Sequence, residues 1–224
     1  MSALIKSTVS VGSMTLLSRV LGLARDIVIA RFFSASDAAD AFFVAFKIPN
    51  FLRRLFAEGA FSLAFVPVLS EYRSNYTAAQ TRDLIDRVAG TLGFILLLLS
   101  LLGVAASPLL ISIFAAGFID QPAKFDLTAD MLRLTFPYIL LISMTAMAGG
   151  ILNTWKRFAV PAFTPVLLNL SLIGCAMWLS PRLDVPITGL AWGVLLAGIL
   201  QLLFQLPFLY RAQLLPRPKW GWRH

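Results

Sequence analysis

Five ionisable side chains, Asp40, Lys47, Arg53, Arg54 and Glu58, stand inside residues 39–69, a stretch otherwise apolar enough to cross a bilayer. The apolar stretch before it, residues 9–33, carries Arg19, Arg25 and Asp26. An ionised side chain near the middle of a membrane helix costs about 2.5–3.5 kcal/mol even on the lenient insertion scale, so a row of them cannot face lipid. They must line a wet chamber walled by protein, which points to binding or moving something charged.

The rest of the chain belongs in a membrane. Of its 224 residues 58% are hydrophobic and 13% charged, with a mean hydropathy of +0.81. Soluble domains carry roughly a quarter charged residues. The net charge of +8 could suggest nucleic acid. The Lys and Arg residues, however, flank or enter apolar runs and build no soluble basic patch with interleaved aromatics, so no nucleic-acid partner is expected. The lone cysteine, Cys175, lies in the apolar run LLNLSLIGCAMWL and reads as a small hydrophobe. The only histidine is His224, so no histidine-based metal site and no serine–histidine pair for Ser18, Ser62 or Ser143 is expected. No nucleotide-binding loop or zinc signature appears, and neither cofactor nor enzymatic activity is expected. The N-terminal stretch is interrupted by Arg19, Arg25 and Asp26, so it reads as a retained helix rather than a cleaved signal.

Windows of about 20 apolar residues place six membrane helices. They fall at residues 9–33, 39–69, 88–114, 129–154, 160–180 and 187–209, an all-α bundle. The third is free of charge and apolar on every face, which suits lipid contact. Residues 71–87 read as a loop with a surface helix. If six helices alternate, Lys6, Arg73, Arg82, Arg87, Lys156, Arg157, Arg211, Arg217, Lys219 and Arg223 fall on one side. The other side receives only Arg31, Lys124 and Arg182. The positive-inside rule then makes both termini cytoplasmic. Pro49, Pro67, Pro108, Pro137, Pro161 and Pro165 lie in or at the ends of spans, where neighbouring helices can re-satisfy the carbonyls they free. Gly149-Gly150 reads as a site of close helix packing.

Positions seven apart on a helix differ by only about 20° in direction, so Asp40, Lys47 and Arg54 stand nearly in line. Asn50 and Glu58 extend that polar edge. On the first helix Arg19 and Asp26 are seven apart, as are Ser18 and Arg25. The two edges can face each other across a cavity. Arg19, Arg25, Lys47, Arg53 and Arg54 outnumber Asp26, Asp40 and Glu58, leaving a cationic surplus that suits a phosphate or pyrophosphate bound by guanidinium forks. Arg31, at a span end, reads as snorkelling to headgroups. Arg133, three residues after Asp130, reads as half of an interfacial ion pair.

The runs SRVLGLARDIVIARFF, DAFFVAFKIPNFLRRLFAEGAFSLAFVPVLSEY and TFPYILLISMTAMAGGILNTWKRFAVPAFTPVLLN closely resemble the MurJ/MviN family of bacterial lipid II flippases, within the superfamily of multidrug and oligosaccharidyl-lipid exporters. The resemblance covers essentially the whole chain. It implies transfer of lipid II, the undecaprenyl-pyrophosphate-linked disaccharide-pentapeptide used in peptidoglycan and cell-wall synthesis, across the bacterial inner membrane by alternating access. It implies fourteen helices in two lobes around a cationic cavity, to which Arg19, Arg25 and Arg53 would contribute, with Asp40 and Glu58 as significant acids. Relative to the family, residues 1–224 correspond to the N-terminal lobe without its seventh helix, the second lobe being absent, and are not expected to flip lipid alone. Two other readings stay open at this point: an exporter of a different lipid-linked oligosaccharide or drug, and a non-transporting membrane scaffold.

Overall fold

A computed structural model describes residues 3–34, 36–54 and 62–221. Its helices are α1 (Ala3–Phe33), α2 (Asp37–Arg53), α3 (Ser62–Asn75), α4 (Ala78–Ala105), α5 (Ser107–Phe114), α6 (Pro122–Thr135), α7 (Tyr138–Thr154), α8 (Ala159–Gly174) and α9 (Thr188–Arg211). A π-turn at Cys175–Leu179 prolongs α8. No strand occurs among the described residues.

Local chemistry sets the boundaries. Ser36 caps α2 by accepting from the Ala39 N–H at 3.2 Å, and Asp37 and Asp40 favour the positive end of the helix dipole. Thr77 and Gln80 form a reciprocal capping box that starts α4 at Ala78. The third span therefore begins ten residues before position 88. Residues 71–87, expected as loop and surface helix, are helical except at Tyr76 and Thr77. The same span breaks at Ala106, just before Pro108, into α4 and α5. The fourth breaks at Phe136-Pro137 between α6 and α7. Lys156 and Gln213 adopt left-handed backbone with φ of 60° and 57°. In both places the following N–H reaches back five residues, Arg157 to Leu152 and Leu214 to Leu209, each at 2.9 Å, which closes the helix end.

Two prolines inside helices have their freed carbonyls satisfied by hydroxyls. Pro49 cannot donate to the Ala45 carbonyl, and Thr135 of α6 does so at 2.9 Å. Pro165 cannot donate to the Pro161 carbonyl, and Thr164 does so at 2.8 Å. A buried carbonyl left open would cost about 1–3 kcal/mol. Repair of this kind, across helices at Pro49 and within α8 at Pro165, keeps a kinked helix tolerable in hydrocarbon.

Packing is pairwise: α2 on α6, α7 and α8 on α9, and α1 along α8. Phe42, Met131, Leu132, Phe136 and Ile139 centre one buried cluster, and Leu69, Ile85, Ile151 and Leu152 a second. Gly149 and Gly150 let α7 approach its neighbours, since a Cβ there would lie 3.2 Å from Pro161 and 3.3 Å from Val66. Outward, Leu97, Leu98, Leu101 and Leu102 of α4 are 44–67% exposed, as a lipid face requires. Four helical segments are long and apolar enough to cross a membrane: Ala78–Ala105, Pro122–Thr154, Ala159–Arg182 and Thr188–Arg211. With α1 and the α2 and α3 helices they make an all-α bundle of about six membrane helices.

After α9 the chain turns back as a strap along α4. Asp86, only 3% exposed, accepts the Arg217 N–H at 2.7 Å and returns its own carbonyl to the Lys219 N–H at 3.0 Å. Lys219 also pairs with Asp83 at 2.9 Å, and that hydrogen bond holds its ammonium above the ordinary lysine pKa. Trp220 meets Phe94 edge-on at 4.7 Å. Gly90 lies directly beneath the Lys219 backbone, where any side chain would collide.

Candidate functional site

A cavity of about 610 Å³ opens between α1, α2, α7, α8 and α9. Its α2 wall is Phe46, Asn50 and Arg53, a stripe at helical spacing. That stripe faces inward because the neighbouring face of α2, carrying Ala41, Phe42, Ala45 and Ile48, is buried in the core. Arg25 enters from α1. Opposite stand Thr145, Asn153, Gln201 and Gln205. Two guanidinium groups thus line a chamber into which no carboxylate of the described residues projects.

Each arginine is oriented. Arg25 sets Nε and Nη2 on the Asp26 carboxylate at 2.9 and 2.7 Å and Nη1 on Asn169 Oδ1 at 3.0 Å. Asn169, 5% exposed on α8, returns its amide to the Ser18 carbonyl at 3.0 Å and so ties α1 to α8. Arg53 donates through Nε to Asn50 Oδ1 at 2.9 Å. Planar donors held in this way are arranged to meet a diphosphate with little further loss of side-chain freedom.

Of the residues expected at the site, Arg25, Asn50 and Arg53 are therefore brought together. Arg19, Lys47 and Arg54 are exposed and do not line the cavity, and Asp26 reaches it only through Arg25. Ser18 contributes its backbone carbonyl. Asp40 does not line the cavity either: with Asp37 it grips Lys124 of α6 at 3.1 and 2.8 Å, at the far end of the bundle, and like Lys47 and Arg54 it is exposed. Glu58 lies outside the described residues. Arg133 pairs with Asp130 at 2.6 Å, as its spacing suggested.

The amides of α9 were not anticipated. Gln201 donates to the Thr164 carbonyl at 2.8 Å and Gln205 to the Thr145 carbonyl at 3.0 Å, binding α9 to α8 and α7 behind the cavity. Their signal was two glutamines four apart in an apolar run, a spacing that places both on one helix face. Asn169 gave a similar sign, an amide amid leucines that must find partners where there is no water.

Fold and cavity together define a multi-pass helical membrane protein built around an internal, cationic, polar chamber. A family model described as Lipid II flippase MurJ matches residues 29–224. A probable lipid II flippase MurJ of Vibrio cholerae is 54% identical over 98% of this chain and 43% of its own length. A lipid II flippase MurJ of Burkholderia cenocepacia is 46% identical over 95% of this chain and 41% of its own. A solved structure of lipid II flippase MurJ in an inward closed conformation superposes with a TM-score of 0.76 at 31% identity, over 95% of this chain and 43% of that one. The chain belongs to the MurJ family. It spans about two fifths of the length of these relatives and is part of a multi-pass inner-membrane protein.

Proposed function

We propose that residues 1–224 form the N-terminal lobe of a flippase that carries lipid II from the inner to the outer leaflet of the cytoplasmic membrane, without covalent chemistry. One observation carries this reading: a chamber within a membrane bundle whose charged lining, among the described residues, is two oriented guanidinium groups. Such a chamber suits the pyrophosphate of the substrate and would repel the cations that an ion pump must hold. Arg25 and Arg53 contact the diphosphate, with Asn50 as support. Arg19, Lys47 and Arg54 strengthen the surrounding field from the exposed sides of their helices, while Asp26 positions Arg25. Asp40 acts by fixing α2 against α6 through Lys124. The second lobe supplies the remainder of the chamber, and rocking of the lobes exposes it to alternate sides.

The inside orientation of both termini is supported by how the bases gather. Arg73 bonds the Thr154 carbonyl, Arg157 the Phe208 carbonyl at 3.3 Å, and Lys219 pairs with Asp83, all at one end of the bundle. The names of relatives bear on the substrate instead, since those proteins are described as lipid II flippases.

The test is complementation. In cells depleted of their resident flippase, the full-length protein carrying this chain should restore growth and clear the accumulated lipid II. Persistent accumulation of lipid II despite normal membrane insertion would refute the assignment, and relief of a different lipid-linked saccharide would redirect it.

A further inference from the structure

A second cavity, of about 500 Å³, opens where the strap leaves α9. Arg82 of α4, Arg211 at the end of α9 and Arg217 of the strap line it, with Tyr210 and Gln213 between them, and it shares no lining residue with the chamber described above. No carboxylate of the described residues lines it. The acids nearest in sequence are engaged elsewhere: Asp83 holds Arg87 and Lys219, and Asp86 holds the Arg217 N–H and Lys219. No ion pair among the described residues takes the side chain of Arg82, Arg211 or Arg217. An adjoining hollow shares Arg82 and Gln213 and adds Arg73, whose guanidinium lies 5.0 Å from the centre of the Trp155 ring.

The depth of this cavity is informative. The uncharged part of α4 begins after Arg87, and α9 ends at Arg211, so the arginines stand where apolar surface gives way to water. Leu196, Leu203 and Tyr210, seven apart and therefore on one line of α9, are 42%, 53% and 73% exposed. An apolar track thus runs down the outside of the bundle from the wall of the basic cavity. A free phosphate would use only the arginines, whereas an amphiphile would use both. Basic hollows at the ends of membrane helices are suited to anionic headgroups.

We propose that this cavity binds the phosphodiester headgroup of an anionic phospholipid, with an acyl chain against Leu203 and Leu196. The headgroup would join strap, α4 and α9 through one shared anion, at a place separate from the diphosphate chamber.

Native mass spectrometry of the full-length protein in detergent tests this, with phosphatidylglycerol, phosphatidylcholine and inorganic phosphate as probes. Phosphatidylglycerol should be retained in preference to phosphatidylcholine, and excess inorganic phosphate should not displace it. The Arg82→Gln/Arg211→Gln/Arg217→Gln variant should bind phosphatidylglycerol about 100-fold more weakly, at roughly a factor of five per basic residue near the headgroup layer. An Arg25→Gln/Arg53→Gln variant should bind it as the unmodified protein does. Where the glutamine triple variant aggregates, the corresponding Arg→Lys triple variant keeps the charge and should retain the lipid. Equal retention of phosphatidylcholine, undiminished binding by the glutamine variant, or loss in the lysine or chamber variants overturns the proposal. Displacement by inorganic phosphate makes this a free-anion site and overturns the lipid assignment.

Discussion

Arg25→Ala in the full-length protein is expected to lower lipid II export by about 10- to 100-fold, because a guanidinium bonded to a charged group contributes about 1.5–3 kcal/mol. The loss should fall on transport far more than on folding. Asp26, the carboxylate left behind, is 61% exposed at its side chain and so is not sealed among packed helices. Asn169 keeps its bond to the Ser18 carbonyl, so the α1–α8 contact survives. Arg25→Lys should fall between, since it restores charge without the two-pronged donor. Export is read as lipid II reachable by a hydrolase added outside the cell, at matched protein levels. Wild-type export by Arg25→Ala would remove this residue from the substrate path.

Gly103→Val should be among the most destabilising single changes in the bundle. Gly103 faces Phe136, which is 2% exposed at the joint between α6 and α7, and a Cβ built at Gly103 falls within its ring. Neither side yields easily: Phe136 is buried in the larger core cluster, and the Gly103 carbonyl is already bonded by Ser107 at 2.9 Å. Overpacking a tight core costs about 1–3 kcal/mol and more where backbone must shift, so a fall in Tm of roughly 6–12 °C is expected for about 3 kcal/mol in a chain of this size. Because the cause is steric, Phe136→Ala in the same protein should recover part of the loss, whereas two independent lesions would add. A Gly103→Val protein that melts with the wild type would show that α4 and α6 are not this close.

Much of the architecture could be read from residue types. Apolar length announced the spans, and intramembrane charge announced the chamber, because both follow from the poor solvation of polar groups in hydrocarbon. The start of α4 was also readable, in the Thr77-x-x-Gln80 capping box, but the charges of residues 71–87 suggested solvent exposure and hid it. Direction within α2 was harder. Seven-residue spacing aligns Asp40, Lys47 and Arg54 in a straight helix, yet which stripe turns inward is decided by the partner that buries Phe42 and Ala45, and α6 lies some 90 residues away. The engagement of Asp40 with Lys124 is likewise a long-range event without a local signature. Asn169, Gln201 and Gln205 carry no formal charge and so stand out less in the sequence, whereas in a membrane interior an amide is under nearly the same obligation to find partners.

Under the proposed function Arg25 and Arg53 share one role, holding a diphosphate inside the bundle. Its most direct test is the affinity of the purified full-length protein for undecaprenyl pyrophosphate beside undecaprenyl monophosphate, in the wild type and in Arg25→Gln/Arg53→Gln. The wild type should prefer the diphosphate, and the double variant should lose that ligand by about 100-fold or more while remaining folded. Equal affinity of the two proteins for the diphosphate would contradict the account.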